Sequence, residues 1–154
     1  MSDVKPGAKV PEFMVPTTAG DFRLGARNDG NLVIYFYPRD NTPGCTTEGS
    51  DFRDLAPAFR RLGTRILGIS TDTIESHRRF RDKMKFPFEL GSDEDHSVAA
   101  QFGVWKQKNM YGRKMMGIER STFLIDSKGV LRREWRKVRV AGHAAEVLAA
   151  ARDL

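Results

Sequence analysis

Leu32-Val33-Ile34-Tyr35-Phe36-Tyr37 is the segment that most narrows the folds open to this chain. It is β-branched and aromatic throughout, with none of the polar alternation of a strand that has one wet face. It therefore predicts a central strand buried on both sides. A polar, turn-forming loop follows from Pro38 to Gly44, and beyond it Phe52, Leu55, Phe59 and Leu62 recur at steps of three and four residues. That spacing predicts a helix with one apolar face, running to about Leu62 and closed by Gly63. Pro57 is expected to break or kink it, because proline has no N–H for the helical ladder. Arg65-Ile66-Leu67-Gly68-Ile69-Ser70 reads as a second buried strand. Strand, helix and strand within about forty residues make a βαβ unit, which requires parallel pairing and a right-handed crossover.

The flanking segments extend this unit. Phe13-Met14-Val15 and Phe22-Arg23-Leu24, joined by a turn at Ala19-Gly20-Asp21, read as an N-terminal hairpin. Asp72-Thr73-Ile74-Glu75 has the form of a capping box opening a helix that ends near Lys85. A shorter helix is expected from Ser97 to Phe102, with the acidic stretch Asp93-Glu94-Asp95-His96 capping it rather than binding a cation. Thr122-Phe123-Leu124-Ile125 and Val130 to Trp135 flank the turn Asp126-Ser127-Lys128-Gly129 as a second hairpin, and a last helix begins near Gly142. The order β-β-β-α-β-α-α-β-β-α predicts an α/β fold with a central mixed sheet flanked by helices. No linker or repeat divides the chain, and 154 residues suit a single domain over 1–154.

Composition excludes several classes of function. One cysteine forms no intramolecular disulfide, no Cys-x-x-Cys redox pair and no cysteine-rich zinc site. His77, His96 and His143 show no ligand spacing, so no metal is expected. The net charge of +6 comes from dispersed basic residues without a nucleic-acid-binding motif, so no nucleic-acid partner is expected. The N-terminus has no apolar core of signal-peptide length and no run is long enough to span a bilayer. A cytoplasmic location without membrane association is the expectation.

The lone cysteine, Cys45, lies just after the buried strand and at the start of the helix. Lone cysteines are often small buried hydrophobes. This one stands among polar and turn residues, where unpaired N–H groups and the positive end of a helix dipole stabilise a thiolate. An ordinary thiol ionises near pH 8.5, so such stabilisation decides its reactivity. Thr42 precedes it by three positions, Pro38 and Pro43 restrict the loop, and Gly44 allows close approach to the peptide. Trp105, Phe86 and Phe88 fit core packing better than a pocket rim.

The segment from Tyr35 to Glu48 resembles the active-site loop of the peroxiredoxins, matching their Pro-x-x-x-Thr-x-x-Cys pattern at Pro38, Thr42 and Cys45. It is most similar to the Q-type (bacterioferritin-comigratory) branch. Gly7 to Phe13, Gly68 to Asp72, Met110-Tyr111-Gly112 and Gly117 to Asp126 extend the resemblance over nearly the whole chain. The resemblance implies a thioredoxin-like fold and a thiol-dependent peroxidase that uses no cofactor. Residue by residue, it makes Cys45 the peroxidatic cysteine and Thr42 the hydroxyl that orients the peroxide. Arg120 becomes the arginine that stabilises the thiolate and polarises the O–O bond. Pro38 would shield the pocket, and the Gly44 and Cys45 N–H groups would face the peroxide oxygens. Glu48 is a supporting residue, explained equally by the helix dipole.

Many Q-type relatives carry a resolving cysteine at one of two positions, where this chain has Ser50 and Ala99 with its neighbours. The sulfenic acid at Cys45 would then need an external thiol: thioredoxin, glutaredoxin or glutathione. A natural one-Cys enzyme is preferred over a serine substituted at position 50 or a Cys45–Cys45 link across a transient dimer. The expected state is a monomer or weak homodimer. The alternative function is a thioredoxin-like redox-sensing or chaperone module with little turnover, and polyanion binding rests on charge alone.

Overall fold

The computed structural model describes residues 2–25 and 29–154, with Met110 by its backbone alone. The first hairpin joins β1 (Phe13–Thr17) to β2 (Gly20–Leu24). Its turn is Thr18-Ala19, earlier than expected, because Thr17 pairs directly with Gly20. The Thr17 hydroxyl accepts from the Ala19 N–H at 3.1 Å and donates to the Gly20 carbonyl, which fixes the turn there.

β3 (Asn31–Phe36) leads through the Pro38 loop into α1 (Pro43–Arg61), and β4 (Thr64–Ser70) completes the βαβ unit. Of the two outcomes expected at Pro57, a break does not occur: α1 runs continuously through it. Pro57 is exposed, so its ring adds no bulk to the core, although the Arg53 carbonyl loses its helical donor there. Gly63, with φ +62°, receives the chain after the helix and donates its N–H to the Arg60 carbonyl at 2.9 Å.

α2 (Ile74–Met84) follows, capped by Thr73, whose hydroxyl accepts from the Ser76 N–H at 3.1 Å. Asp72 is not the cap, because its carboxylate is engaged by the Asp40 N–H and the Ser70 hydroxyl. β5 (Glu89–Ser92) precedes α3 (Ser97–Gln101), and the buried Asp93 carboxylate accepts from the N–H groups of Val98 and Ala99. β6 (Trp105–Met110) and β7 (Arg113–Ile118) form a separate hairpin around Tyr111 and Gly112, both at positive φ as its mirror-image turn requires. β8 (Ser121–Ile125), β9 (Leu131–Trp135) and α4 (His143–Arg152) end the chain as expected.

The main sheet has the order β2-β1-β5-β4-β3-β8-β9. β3 is parallel to β4 and antiparallel to β8, which makes the sheet mixed and β3 interior to it. Alternate β3 residues feed two cores. Leu32, Ile34 and Phe36 meet Val98, Ala99 and Phe102 on one face. Val33 and Tyr35 meet Cys45, Phe52 and Phe59 of α1, with Val147 of α4, on the other. At one edge, residues 7–10 cover the start of β9, the Gly7 N–H reaching the Leu131 carbonyl at 2.8 Å and the Leu131 N–H the Ala8 carbonyl at 3.0 Å. No helix among the described residues is long and apolar enough to cross a membrane.

The sequence reading missed β5, β6 and β7. β5 is four residues long and carries no β-branched side chain, and β6–β7 is a largely polar ribbon with few core positions. Neither offers the apolar period on which strand recognition depends.

Candidate active site

The parallel strands deliver the cysteine loop at their C-terminal ends, where helix N-termini open outward. Thr42 occupies the N-cap of α1 in an extended conformation, and Pro43 is the first helical residue, where its missing N–H costs nothing. Cys45 therefore lies in the first turn, only 2% exposed. The first N–H donating into the helical ladder is that of Thr46, to the Thr42 carbonyl at 2.9 Å. The Thr42 side chain does not cap the helix. The N–H groups of Gly44 and Cys45 thus remain available to an oxygen at this end of the helix.

Arg120 arrives from the turn before β8. Its Nη2 lies 3.3 Å from the Cys45 sulfur, and its Nη1 lies 2.5 Å from Oε1 of Glu48. Glu48 is one turn beyond Cys45 on α1 and is 1% exposed. Burial pushes its carboxyl from the usual 4.5 up to about 7, against the attraction of Arg120. The less deeply buried guanidinium keeps its charge: burial opposes it, but Glu48 and Cys45 outweigh that and raise its pKa. Glu48 is more than a dipole partner, since it sets the direction of Arg120. Its Oε2 and the Tyr35 hydroxyl on the neighbouring strand are buried without a hydrogen-bond partner.

The other expected residues divide. The Thr42 hydroxyl donates to the Arg39 carbonyl at 2.9 Å, so its oxygen can still accept a hydrogen bond from a ligand. A Cβ at Gly44 would stand 3.2 Å from Nη2 of Arg120, so the guanidinium would have to shift by a few tenths of an ångström to admit it. Pro38 is half-buried at the start of the loop. Ser50 lies on α1, five residues after Cys45 and so roughly 140° around the helix from it. Ala99 belongs to the core on the opposite face of the sheet from Cys45. Phe86 and Phe88 stack on each other in the core at 5.0 Å, and Trp105 stacks on His96 at 4.2 Å.

Two buried histidines escaped the sequence reading. His143 donates to or accepts from the Thr122 hydroxyl at 2.8 Å, and burial, with Arg120 adding to it, lowers its pKa to about 4. His77 lies with Asp40 and Asp72, their ligand-type atoms within 4.8 Å of one another. No spacing in the sequence announces that group, because β3, β4 and α2 assemble it.

A cleft of about 400 Å³ lined by Arg60, Thr64, Arg65 and Glu89 opens at the N-terminal ends of β3 and β4. It is at the far end of the strands from Cys45, so the chemistry of the side chains, rather than cavity size, marks the site.

The AhpC/TSA family pattern matches residues 6–134. The chain belongs to the AhpC/TSA family. It is 56% identical over 119 residues to Peroxiredoxin Bcp of Xanthomonas campestris pv. campestris, covering 77% of this chain and 74% of that protein. To Peroxiredoxin Bcp of Bacillus subtilis it is 46% identical over 149 residues, 96% of this chain and 95% of that one. The solved structure of Xanthomonas campestris Peroxiredoxin Q superimposes with a TM-score of 0.88 at 47% identity, covering 99% of this chain and 98% of the other. These findings bear out the Q-type resemblance, the thioredoxin-like mixed sheet and the N-terminal hairpin. The family member is a thiol-dependent peroxidase, and its single cysteine fits the one-Cys form. They favour that reading over a sensing or chaperone module.

Proposed function

We propose that Cys45 is the peroxidatic nucleophile, with Arg120 and Thr42 completing the reacting site and Pro38, Gly44 and Glu48 supporting it. The observation that carries this is the Arg120 guanidinium 3.3 Å from the sulfur at the N-terminus of α1. The Cys45 thiolate attacks the distal oxygen of a hydroperoxide, the S–O bond forming as the O–O bond breaks. Arg120 and the N–H groups of Gly44 and Cys45 stabilise the charge growing on the leaving oxygen, which takes up a proton as water or an alcohol. Cys45 is left as a sulfenic acid. A thiol from outside the chain condenses with it to release water, and a second thiol frees Cys45 as the external disulfide forms.

The substrates we infer are hydrogen peroxide and organic hydroperoxides. Structures of the Xanthomonas campestris bacterioferritin comigratory protein, 46% identical with a TM-score of 0.88, concern alkyl peroxide reduction. Thioredoxin, glutaredoxin or glutathione is the proposed reductant class, acting on a monomer or weak homodimer in which 1–154 is a single domain. A lone reduced thiol suits a cytoplasmic setting, where such reductants keep it in the thiol state.

One equivalent of peroxide should add a single oxygen to Cys45, trapped by dimedone and followed by stopped-flow fluorescence. A rate no better than that of a free thiol, or oxidation confined to methionines, overturns the assignment.

A further inference from the structure

Two residues before Thr42, the loop carries a buried carboxylate that the peroxide reaction does not use. Asp40 accepts from the Tyr37 hydroxyl at 2.6 Å through Oδ1. Through Oδ2 it meets the Ser76 hydroxyl and Nδ1 of His77, each at 2.8 Å. His77 has no solvent exposure, and its Nε2 lies 2.9 Å from the Gly91 carbonyl oxygen in β5. A carbonyl only accepts, so Nε2 carries a hydrogen. Nδ1, facing a carboxylate oxygen, then shares a further proton with Asp40, since two lone pairs at that distance would repel. The Asp40 N–H donates to Oδ2 of Asp72 at 2.8 Å, and the same oxygen accepts from the Ser70 hydroxyl at 2.6 Å.

One loop residue is thereby tied to the end of β3, to α2, to β5 through His77, and to the turn after β4. Its neighbour Asn41 takes a left-handed turn at φ +62°, which asparagine accommodates better than most residues, so the chain reverses sharply just after Asp40. Thr42 and the first turn of α1 follow at once.

We propose that Asp40 and His77 are a positioning pair that clamps the cysteine loop, holding Thr42 and the Gly44 and Cys45 N–H groups in their reactive arrangement. This rests on the peroxidase reading above. The pair does not touch the reacting atoms, and it acts through the backbone between 40 and 45. The same cluster has the spacing of a cation site. Its facing oxygens are, however, already taken by Tyr37, Ser70, Ser76 and the Asp40 N–H, which a metal would have to displace.

The test compares wild type, Asp40→Ala, Asp40→Asn and His77→Ala below their melting temperatures. It reads the second-order rate of Cys45 oxidation and the hydrogen exchange of the peptide covering 38–47. The alanine variants should oxidise about 10- to 100-fold more slowly, since small misplacements of reacting groups cost that much. Exchange should accelerate in 38–47 and stay unchanged in β8 and α4. Asp40→Asn should retain most of the rate, because its amide can donate to Nδ1 of a neutral His77 while its oxygen accepts from Tyr37. If the alanine variants do not fold, Ser76→Ala and Tyr37→Phe each remove one donor to Asp40 and should shift both readouts in the same directions.

Folded variants with wild-type rate and exchange overturn the proposal. So does a slow Asp40→Asn with undisturbed exchange, which would make charge rather than clamping the cause. A chelator that accelerates exchange in the wild-type loop would replace the pair with a bound cation. If the wild-type enzyme itself reacts no faster than a free thiol, the peroxidase reading fails, and loop exchange alone judges the clamp.

Discussion

Arg120 holds its Nη2 3.3 Å from the sulfur of Cys45, although 75 residues separate the two in sequence. The geometry is made possible by a third residue, Glu48, which takes the other end of the guanidinium. A planar fork that meets two partners has its orientation fixed, which a single contact would not achieve.

Arg120→Ala should therefore slow Cys45 oxidation about 100-fold or more, the usual consequence of removing a donor from a developing oxyanion. Arg120→Lys should recover only part of the loss, because one ammonium cannot span sulfur and carboxylate together. Stopped-flow oxidation of the three proteins checks this. Equal rates in all three would remove Arg120 from the reaction.

Burial gives the fold two opposed pH responses. Glu48, raised from 4.5 to about 7, binds its proton more tightly when folded. Its contribution is thus complete at low pH and is lost as pH rises through about 7, by an amount on the order of 3 kcal/mol. His143, lowered from 6.5 to about 4, contributes fully above 6.5 and loses a similar amount as pH falls toward 4. The single variants should tilt the profile in opposite directions. Glu48→Gln should flatten the decline of stability between about pH 5 and about pH 8, and His143→Gln should flatten the loss on the acid side. Denaturant melts across this range provide the measurement, and parallel profiles for wild type and both variants would contradict it.

Gly68 in β4 makes room for Tyr35, as a Cβ at that position would stand 2.7 Å from the ring Cζ and 2.8 Å from the hydroxyl. Tyr35 in turn stacks on Phe52 of α1 with centroids 4.8 Å apart. Gly68→Ala should cost about 1–3 kcal/mol in overpacking. Because the strain passes into α1, peroxide oxidation should slow as well. Thermal unfolding within experimental error of wild type would show that the ring moves freely.

Thr42→Ser should keep peroxide reactivity, and Thr42→Val should lose about tenfold or more, since valine keeps the shape but offers no oxygen to the peroxide. The Thr42 hydroxyl also donates to the Arg39 carbonyl at 2.9 Å, so part of the loss will come from a looser loop. Hydrogen-peroxide rates for both variants decide the matter, and an unimpaired valine variant would exclude the hydroxyl.

Much of this architecture was legible in the sequence because burial writes a period into the residues. β3, β4 and β8 carry nearly continuous apolar runs and α1 an apolar stripe, while β9 is announced by the turn that joins it to β8. β6 and β7 carry lysines and exposed methionines instead, and their pairing rests on the turn at Tyr111-Gly112. Pro57 does not break α1, since an interior proline on the exposed side of a helix disturbs little of the core. Within the site, Cys45 was visible from its place at a strand-to-helix junction. The meeting of Arg120 with Cys45 was legible only through family resemblance. Asp40, Asp72 and His77 were not legible at all, because each is unremarkable in its own segment and becomes part of a cluster only after the sheet has closed.

The sheet's β9 edge has a consequence for life in a crowded solution. Residues 7–10 screen the first part of β9, but the strand continues with Arg132 and Arg133, both side chains about half exposed. A second copy trying to extend the sheet there would have to displace or desolvate these long charged side chains, which are ion-paired to Asp126 and Glu146. Part of the chain's basic excess thus stands on the stretch of this edge that residues 7–10 leave uncovered, where long charged side chains oppose strand-to-strand pairing with another copy.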